Sequence, residues 1–241
     1  MKIRLISDVH HEFYEDNELY ADKGEDVLVI AGDLNVGFEA CSRSLLQFDT
    51  ADIVYVPGNH EYYHTSTHEF DYKMRKFCAQ EDINYLNPDW LSIRGVNFVG
   101  AALWTNFRGD PVAQMHCAHR ISDFAVISGH TTESARRLYD LHLAYIKHMY
   151  AQVQGPKVIV THFLPAVECI SPQYRDAGLL NNYFANDLGS WIETLEDTTW
   201  LFGHTHSQVD VTIGTTQLTA NPYGYNKNHN YTERFIDVPS N

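Results

Sequence analysis

Cysteine is scarce in this sequence, and the few cysteines present are far apart. The 241 residues include four, at positions 41, 78, 117 and 169, with no Cys-x-x-Cys pair. This spacing argues against a thiolate zinc site and against a dense disulfide framework. The N-terminal apolar stretch is interrupted by Arg4 and ended by Asp8, so it does not resemble a signal peptide. We therefore expect reduced, buried thiols and a cytoplasmic location.

Positive charge and long apolar runs are also in short supply. Lysine and arginine number 17 against 31 acidic residues, which gives a formal net charge of −14. A protein that binds long nucleic acid or an anionic membrane usually carries the opposite sign. No apolar run approaches the about 18 residues that a membrane-spanning helix needs. Long nucleic acid and membranes are therefore not expected among the partners.

Hydrophobic residues make up 44% of the chain, enough for a folded core. Six short, nearly continuous apolar runs predict strands that are covered on both faces. These are residues 2–7, 26–31, 53–56, 96–100, 158–161 and 200–202. Two later runs, 208–213 and 215–219, predict a hairpin around Gly214, and helices are predicted over 68–80, 132–154 and 184–195.

Strands that alternate with helices indicate the α/β class. No internal repeat, low-complexity tract or Pro/Ser-rich linker divides the chain, so we expect a single domain over residues 1–241. Residues 104–130 show no clear period and are predicted to form loops or a small lid.

Polar side chains follow five of the predicted strands at the point where each strand ends. Ligands in open α/β sheets bind beyond the carboxyl ends of the strands, so these side chains are expected to converge. Each alone has an ordinary explanation: Asp33 as a helix cap, His10 or His162 as a structural histidine. The conjunction favours a metal site, because clustered carboxylates need a compensating cation. The residues are Asp8, His10, Asp33, Asn59, His60, Glu61, His162, His204 and His206.

Carboxylate, imidazole and carboxamide donors, without a thiolate, suit Mn, Fe, Zn, Co or Ni. Seven ligands drawn from these nine residues would be too many for one tetrahedral ion, but they suit two divalent ions that share a carboxylate. Two ions about 3.5–4 Å apart can clamp the attacking and leaving oxygens of an in-line displacement.

The motifs Asp-x-His (Asp8, His10), Gly-Asp (32–33), Gly-Asn-His-Glu (58–61), a lone His162 and Gly-His-x-His (203–206) resemble those of the calcineurin-like metallophosphoesterase superfamily. The segments VPGNHEYY, GAALWT, THFLP and NPYGY are similar to a group of small, stand-alone bacterial phosphoesterases. The resemblance implies a four-layer αββα sandwich of two mixed sheets flanked by helices, and a pair of divalent ions, with manganese favoured.

The resemblance also implies a role for each motif residue. Asp33 would bridge the two ions, and His60 would stabilise the transition state or protonate the leaving oxygen without binding metal. Glu61 would orient its neighbours, and Asp8 would restrain His60 by accepting a hydrogen bond from it. The remaining ligands would be Asp8, His10 and His206 for the first ion, and Asn59, His162 and His204 for the second.

The expected reaction is in-line attack on a small phosphate ester by a hydroxide that bridges the two ions. No arginine follows Gly32-Asp33 until Arg43, and none follows the Gly-Asn-His-Glu motif closely, so a clamp for a phosphomonoester dianion is missing at both family positions. This favours phosphodiesters, cyclic or other nucleotides among them. A monoesterase that uses Arg108, Arg120 or Arg175 is the alternative, and a non-catalytic scaffold with the same fold is a remote one.

Several aromatic and polar residues near the motif ends are candidates for a substrate pocket. Aromatic faces suit a nucleobase or an aryl group, although tyrosines could equally close the edge of the sheet. His11 and His64 are expected to be solvated or to support the ligands. The pocket candidates are Tyr63, Tyr174 and Asn181, together with Tyr62, His64 and Tyr223.

Overall fold

The first of two β-sheets contains both ends of the described chain. The computed structural model describes residues 1–13, 17–50, 52–225 and 231–239. The five strands of this sheet have the order β11-β1-β2-β3-β4, in which β1 to β4 are parallel and β11 is antiparallel to β1. They are β1 (Lys2–Ile6), β2 (Val27–Ala31), β3 (Ile53–Val56), β4 (Asn84–Tyr85) and β11 (Arg234–Asp237).

The second sheet has six strands in the order β5-β6-β7-β8-β10-β9. Its central strands β6, β7, β8 and β10 are parallel, and the edge strands β5 and β9 are antiparallel to their neighbours. The six are β5 (Asp89–Ile93), β6 (Val96–Ala101), β7 (Lys157–Thr161), β8 (Thr198–Phe202), β9 (Val209–Ile213) and β10 (Thr216–Ala220).

Alternate residues of the central strands supply two apolar layers. In β2, Val27, Val29 and Ala31 join a cluster that also contains Phe98 and Val160 of the other sheet. Leu28 and Ile30 belong to a second cluster with residues of the helices. Because side chains in a strand point to opposite faces in turn, both faces of β2 are covered. This confirms the predicted mixed two-sheet sandwich.

Seven α-helices flank the sheets within the described residues. They are α1 (Phe38–Leu45), α2 (Thr67–Gln80), α3 (Pro111–Ala118), α4 (Asp123–Val126), α5 (Thr132–Gln152), α6 (Asn181–Phe184) and α7 (Gly189–Ile192). Short 3₁₀ helices cover Asn17–Tyr20, His60–Tyr62, Phe107–Gly109, Val167–Cys169 and Pro172–Leu180. None of the helices in the described ranges has the length and apolar character needed to span a membrane.

The six predicted strands, the hairpin and the helices over 68–80 and 132–154 are confirmed to within two residues at each end. The single helix predicted over 184–195 is wrong, because α6 ends at Phe184 and α7 begins at Gly189. Between them Ala185 forms a bridge with Leu164, and Asn186 donates its side-chain N–H to the Trp104 carbonyl, 2.8 Å away. These tertiary contacts hold the chain extended where the apolar spacing predicted a helix.

The segment 104–130, predicted to be loops or a lid, contains α3 and α4. The start of α3 carries a local signal that the periodicity analysis passed over. Asp110 caps the helix by accepting hydrogen bonds from the backbone N–H groups of Val112 and Ala113, and Pro111 occupies the first helical turn. The other elements absent from the sequence prediction are the 3₁₀ helices, α1, all of α6 except Phe184, and the short or edge strands β4, β5 and β11.

Candidate metal centre

The polar residues that follow β1, β2, β3, β7 and β8 come together as predicted. Asp8, His10, Asp33 and His206 each offer one ligand atom, and these atoms lie within 4.8 Å of one another. A second group with the same spacing is formed by Asp33, His162 and His204. Asp33 therefore lies in both groups. We call these residues, together with Asn59, the ligand cluster.

One ring nitrogen of His162, Nδ1, is hydrogen-bonded to the backbone, and the other, Nε2, faces further acceptor atoms. Nδ1 lies 2.9 Å from the Ala31 carbonyl oxygen, which can only accept, so Nδ1 carries the proton. In the neutral ring, Nε2 then presents a lone pair 3.1 Å from the Asn59 Oδ1 and 3.3 Å from the Asp33 Oδ2. Three acceptors that converge in a buried site are stable with a cation between them.

The group that contains His10 and His206 also has ring nitrogens that face one another. His10 Nδ1 lies 2.9 Å from the Glu12 carboxylate, and its Nε2 lies 3.3 Å from the Nε2 of His206. Two facing imidazole nitrogens need a proton or a cation between them. In the group with Asp33 and His162, the Nδ1 of His204 likewise faces the Nε2 of His162, 3.1 Å away. The donors and their orientation therefore fit divalent transition-metal ions.

Electrostatics keep the bridging carboxylate ionised. Burial favours the neutral form of Asp33, but His162, His60 and His10 together outweigh burial and hold the pKa of Asp33 well below its usual range. Burial also disfavours a charge on His162, yet the Asp33 carboxylate raises the pKa of His162 to about 10. His204 responds oppositely, because burial and the charge on His162 hold its pKa well below the ordinary value. A proton or a metal ion is thus favoured beside Asp33, and His204 offers a neutral nitrogen.

The backbone of the cluster is strained. Five of its seven residues have positive φ angles between 49° and 66°, which side chains with a Cβ rarely adopt. Strain of about 1–3 kcal/mol per residue persists only where the surroundings impose it, and such residues concentrate at functional sites. The five are Asp8, His10, Asp33, His204 and His206.

Two motif glycines permit close approach between the loops. Gly32 has φ +85°, and a Cβ there would overlap the ring of His162. A Cβ at Gly58 would overlap the carboxylate of Asp33. Any larger residue at either position would push a ligand-cluster side chain aside.

Glu61 ties the two loops together from beneath. It is fully buried and accepts hydrogen bonds from the backbone N–H groups of Asp33, Leu34 and Gly58 at 2.9–3.1 Å. The hydroxyl of Tyr55 donates to it at 2.8 Å. Burial and the charge on Asp33 raise the pKa of Glu61 to about 7. Glu61 thus fixes the backbone on which Asp33 sits.

His60 lies beside the cluster, and its partner differs from the one expected. The sequence analysis assigned the restraint of His60 to Asp8, but Asp8 accepts instead from the hydroxyl of Ser7 and the backbone N–H of His204. Glu12 lies 2.9 Å from the Nδ1 of His60. The same oxygen, Oε1, is the one that contacts His10. Burial lowers the pKa of His60, but Asp33 and Glu12 outweigh it and raise the pKa to about 9.

Asp123, in α4, orients Asn59 and was not found by sequence reasoning. Its Oδ1 accepts from the Nδ2 of Asn59 at 3.1 Å and from the hydroxyl of Tyr63 at 2.9 Å. The hydroxyl of Tyr183 donates to its other oxygen. With its amide nitrogen held in this way, Asn59 directs Oδ1 toward His162. Asp123 belongs to the segment that had no sequence period, so only the fold reveals this contact.

The ligand cluster opens into a cavity of about 800 Å³, on which Asp33, Asn59, His60, His204 and His206 lie. The pocket candidates Tyr63, Tyr174 and Asn181 are on its wall, whereas Tyr62, His64 and Tyr223 are not among the lining residues.

Three further sequence expectations concern individual side chains. Arg120 lies on the cavity wall, but Arg108 and Arg175 are not part of its lining. His11 is buried and 2.7 Å from the hydroxyl of Tyr20 through Nδ1, so of its two expected roles the solvated one is wrong and support of the ligands stays a prediction. Tyr225, which was missed, places its ring 4.3 Å from the rings of both His10 and His206.

The chain resembles proteins from several kinds of organism. It is 25% identical over 265 residues to an uncharacterised protein, L509, of Acanthamoeba polyphaga mimivirus, with 95% of this chain and 92% of that protein covered. The structure of a phosphopantetheinyl hydrolase from Mycobacterium tuberculosis has the same fold, with a TM-score of 0.74 at 18% identity and with 93% and 89% of the two chains covered. A dimetal phosphatase from Danio rerio superposes with a TM-score of 0.51 at 16% identity, over 93% of this chain and 88% of its own.

The family model of calcineurin-like phosphoesterases matches residues 1–208. This range includes all seven members of the ligand cluster as well as His60 and Glu61. The chain belongs to the calcineurin-like phosphoesterase family.

Proposed function

We propose that this protein is a two-metal phosphodiesterase that acts on small phosphate esters, with manganese as the preferred ion. The observation that carries the proposal is the pair of ligand groups that share Asp33 at the edge of an open cavity. When bound, two divalent ions supply an activated water and positive charge against the phosphoryl oxygens.

The ions would be held by the ligand cluster. Asp8, His10 and His206 would hold one, Asn59, His162 and His204 the other, and Asp33 both. Glu12 fixes the proton on Nδ1 of His10, and the Ala31 carbonyl fixes the proton on Nδ1 of His162. The Nε2 atom of each ring is then free to bind metal.

His60 is proposed to deliver a proton to the leaving oxygen. Its ring lies on the cavity wall, and in the metal-free protein Asp33 and Glu12 raise its pKa to about 9 against the effect of burial. Glu12 contacts Nδ1, so the other ring nitrogen is available to the substrate. A protonated imidazole that faces the leaving group is the arrangement required for general acid catalysis.

The charge of the cavity favours diesters. Among the described lining residues, Arg120 is the one arginine, and it is exposed. A phosphomonoester dianion is usually gripped by bidentate guanidinium groups, whereas a diester carries one charge and needs less compensation. A monoesterase in which Arg120 supplies the extra cation is the alternative that this position supports.

Hydrolysis of p-nitrophenyl phosphate and of bis(p-nitrophenyl) phosphate by the manganese-loaded protein tests the proposal. We expect kcat/KM to be at least about tenfold higher for the diester, since a tenfold preference corresponds to about 1.4 kcal/mol of transition-state stabilisation. A preference for the monoester would reverse the assignment. Fewer than two bound ions per chain together with no turnover of either ester would favour a non-catalytic scaffold.

Cyclic nucleotides, nucleotide diesters and a phosphopantetheinyl ester belong in the wider panel, the last because the similar tuberculosis protein is named for that activity. We also propose that the chain acts as one domain, since β11 near its end pairs with β1 at its start. A cytoplasmic location is proposed as well and is supported by four free, buried thiols.

A further inference from the structure

The cavity continues from the ligand cluster along an apolar surface. The ring of Phe184 lies 5.1 Å from that of His204, so the apolar lining begins directly beside the cluster. Its residues come from the connection between α3 and α4, the loop after β7, and the segment that runs from Ile170 through α6. We call this surface the apolar wall: Ile121, Leu164, Ile170, Leu180 and Phe184.

Two polar side chains beside the apolar wall, Asp123 and Asn181, are already hydrogen-bonded within the protein. Both oxygens of Asp123 already accept hydrogen bonds, from Asn59, Tyr63 and Tyr183. Asn181 donates its side-chain N–H groups to the carbonyls of Tyr174 and Arg175, 2.9 and 3.1 Å away. A ligand group rich in hydrogen-bonding atoms would lose its water beside these two side chains and gain few partners from them, which is unfavourable.

The size of the cavity calls for more than a phosphoryl group. Pockets that take whole small molecules have volumes of about 300–1,000 Å³. This one, at about 800 Å³, has room for a substantial organic group beside the ligand cluster. Negative charge on that group would meet Asp33 and Asp123, with the exposed Arg120 as the one arginine among the described lining residues.

We propose that the apolar wall receives an uncharged, mainly apolar arm of the substrate, so that the preferred substrates are phosphodiesters with one such arm rather than nucleotides. The proposal rests on the proposed phosphodiesterase function for its reaction and on the cavity for its selectivity. Binding energy from the arm would hold the phosphoryl group against the ligand cluster.

Binding of alkyl methyl phosphates to the manganese-loaded full chain tests the proposal. Ethyl, butyl and hexyl methyl phosphate carry the same single charge and differ only in apolar length. A 2-(2-methoxyethoxy)ethyl methyl phosphate has an arm one atom longer than that of the hexyl ester, but two of its atoms are ether oxygens. Calorimetry, by displacement where the direct signal is weak, gives Kd for each ester whether or not it is hydrolysed.

We expect Kd to fall by up to about fourfold per methylene, the value for full burial of a CH₂ group, and by at least about tenfold from ethyl to hexyl. The ether ester should bind at least about tenfold more weakly than the hexyl ester. Kd values that agree within twofold across the series, absence of binding, or tighter binding of a cyclic nucleotide than of the hexyl ester would overturn the proposal.

Two neighbouring leucines provide the matched variants. Leu180 is on the apolar wall, whereas Leu179 is exposed and outside the cavity lining. Leu180→Asp should reduce the ethyl-to-hexyl ratio of Kd to below about threefold, and Leu179→Asp should preserve it. Ile170→Asp is a second wall variant, and thermal unfolding checks that each variant is folded. An equal collapse of the ratio in Leu179→Asp would contradict the assignment of the wall.

The same measurements separate this proposal from the proposed function. If bis(p-nitrophenyl) phosphate is hydrolysed but Kd does not depend on the length of the alkyl arm, only the proposed substrate class is overturned. If Kd depends on the length of the alkyl arm but no diester is hydrolysed, only the proposed phosphodiesterase activity is overturned.

Discussion

The two parts of the cavity are built in different ways. The ligand cluster comes from short loops directly after strands, and most of its residues have left-handed backbone conformations. The apolar wall comes from short helices and irregular segments between residues 121 and 184. Residues of the cluster are specified by local motifs, whereas residues of the wall are brought together by packing. Under the proposed function, the first part carries out the chemistry and the second part selects the ester.

The largest effect on the cluster side is expected from Asp33→Asn. Because Asp33 is common to both ligand groups, both ions should be lost or weakened together. Turnover should fall by more than the about 10²–10³-fold typical of losing one charge-stabilising group. Metal per chain, measured by mass spectrometry, checks the prediction. Asp26→Asn, at the opposite end of the same strand, is the control, and loss of a single ion from Asp33→Asn would argue against bridging.

His60→Ala tests whether a residue beside the cluster acts in chemistry rather than in metal binding. Turnover should fall by about 10²–10⁴-fold, the usual contribution of general acid–base catalysis. Metal content should stay near that of the unmodified protein, because Asp33 and the six other candidate ligands are intact. His64→Ala, an exposed histidine outside the cavity lining, should change neither quantity. If metal were lost with His60, the residue would belong among the ligands.

Asp123→Ala tests how the two parts of the cavity depend on each other, because Asp123 connects the helical segment to the ligand cluster. Without its acceptor the Asn59 amide can rotate, and its oxygen no longer faces His162 reliably. Affinity for one of the two ions should fall by about 10–100-fold, as for other residues that support a metal ligand. Titration of the metal-free protein with manganese measures this, with Asp187→Asn as an exposed control. Unchanged affinity for both ions would show that Asn59 needs no such support.

The smallest effect concerns a buried histidine outside the cavity. Burial lowers the pKa of His142 from 6.5 to about 3, and its Nδ1 accepts the backbone N–H of Leu103. As pH falls below 6.5, the unfolded chain takes up this proton before the folded protein does, so the free energy of unfolding decreases. At pH 5 this contribution approaches about 2 kcal/mol.

His142→Asn keeps an acceptor for Leu103 but does not titrate in this range. Urea unfolding of the metal-free proteins at pH 7.5 and pH 5 should therefore show a smaller loss of stability in the variant. An equal loss in both proteins would mean that His142 is already protonated in the folded state at pH 5.

The architecture was largely predictable, because runs such as Ile53–Val56 are apolar on both faces and lead directly into a polar motif. The seven candidate ligands could be chosen because each follows such a strand. Their roles as ligands stay predictions, but the structure brings all of them together. The helix predicted over 184–195 failed because Asn186 and Ala185 pair with the loop after β7, a contact that local spacing does not encode.

The sequence by itself determined the α/β class and the identity of the polar residues at the sheet edge, since apolar runs, helix signals and strand-end motifs are local properties. The sandwich of two sheets was expected from the family resemblance. Only the tertiary structure decided that Glu12 rather than Asp8 meets His60, that Asp123 aims Asn59, and that a wall of apolar side chains adjoins the cluster. These contacts join residues far apart in the chain, and their geometry depends on how the whole core packs.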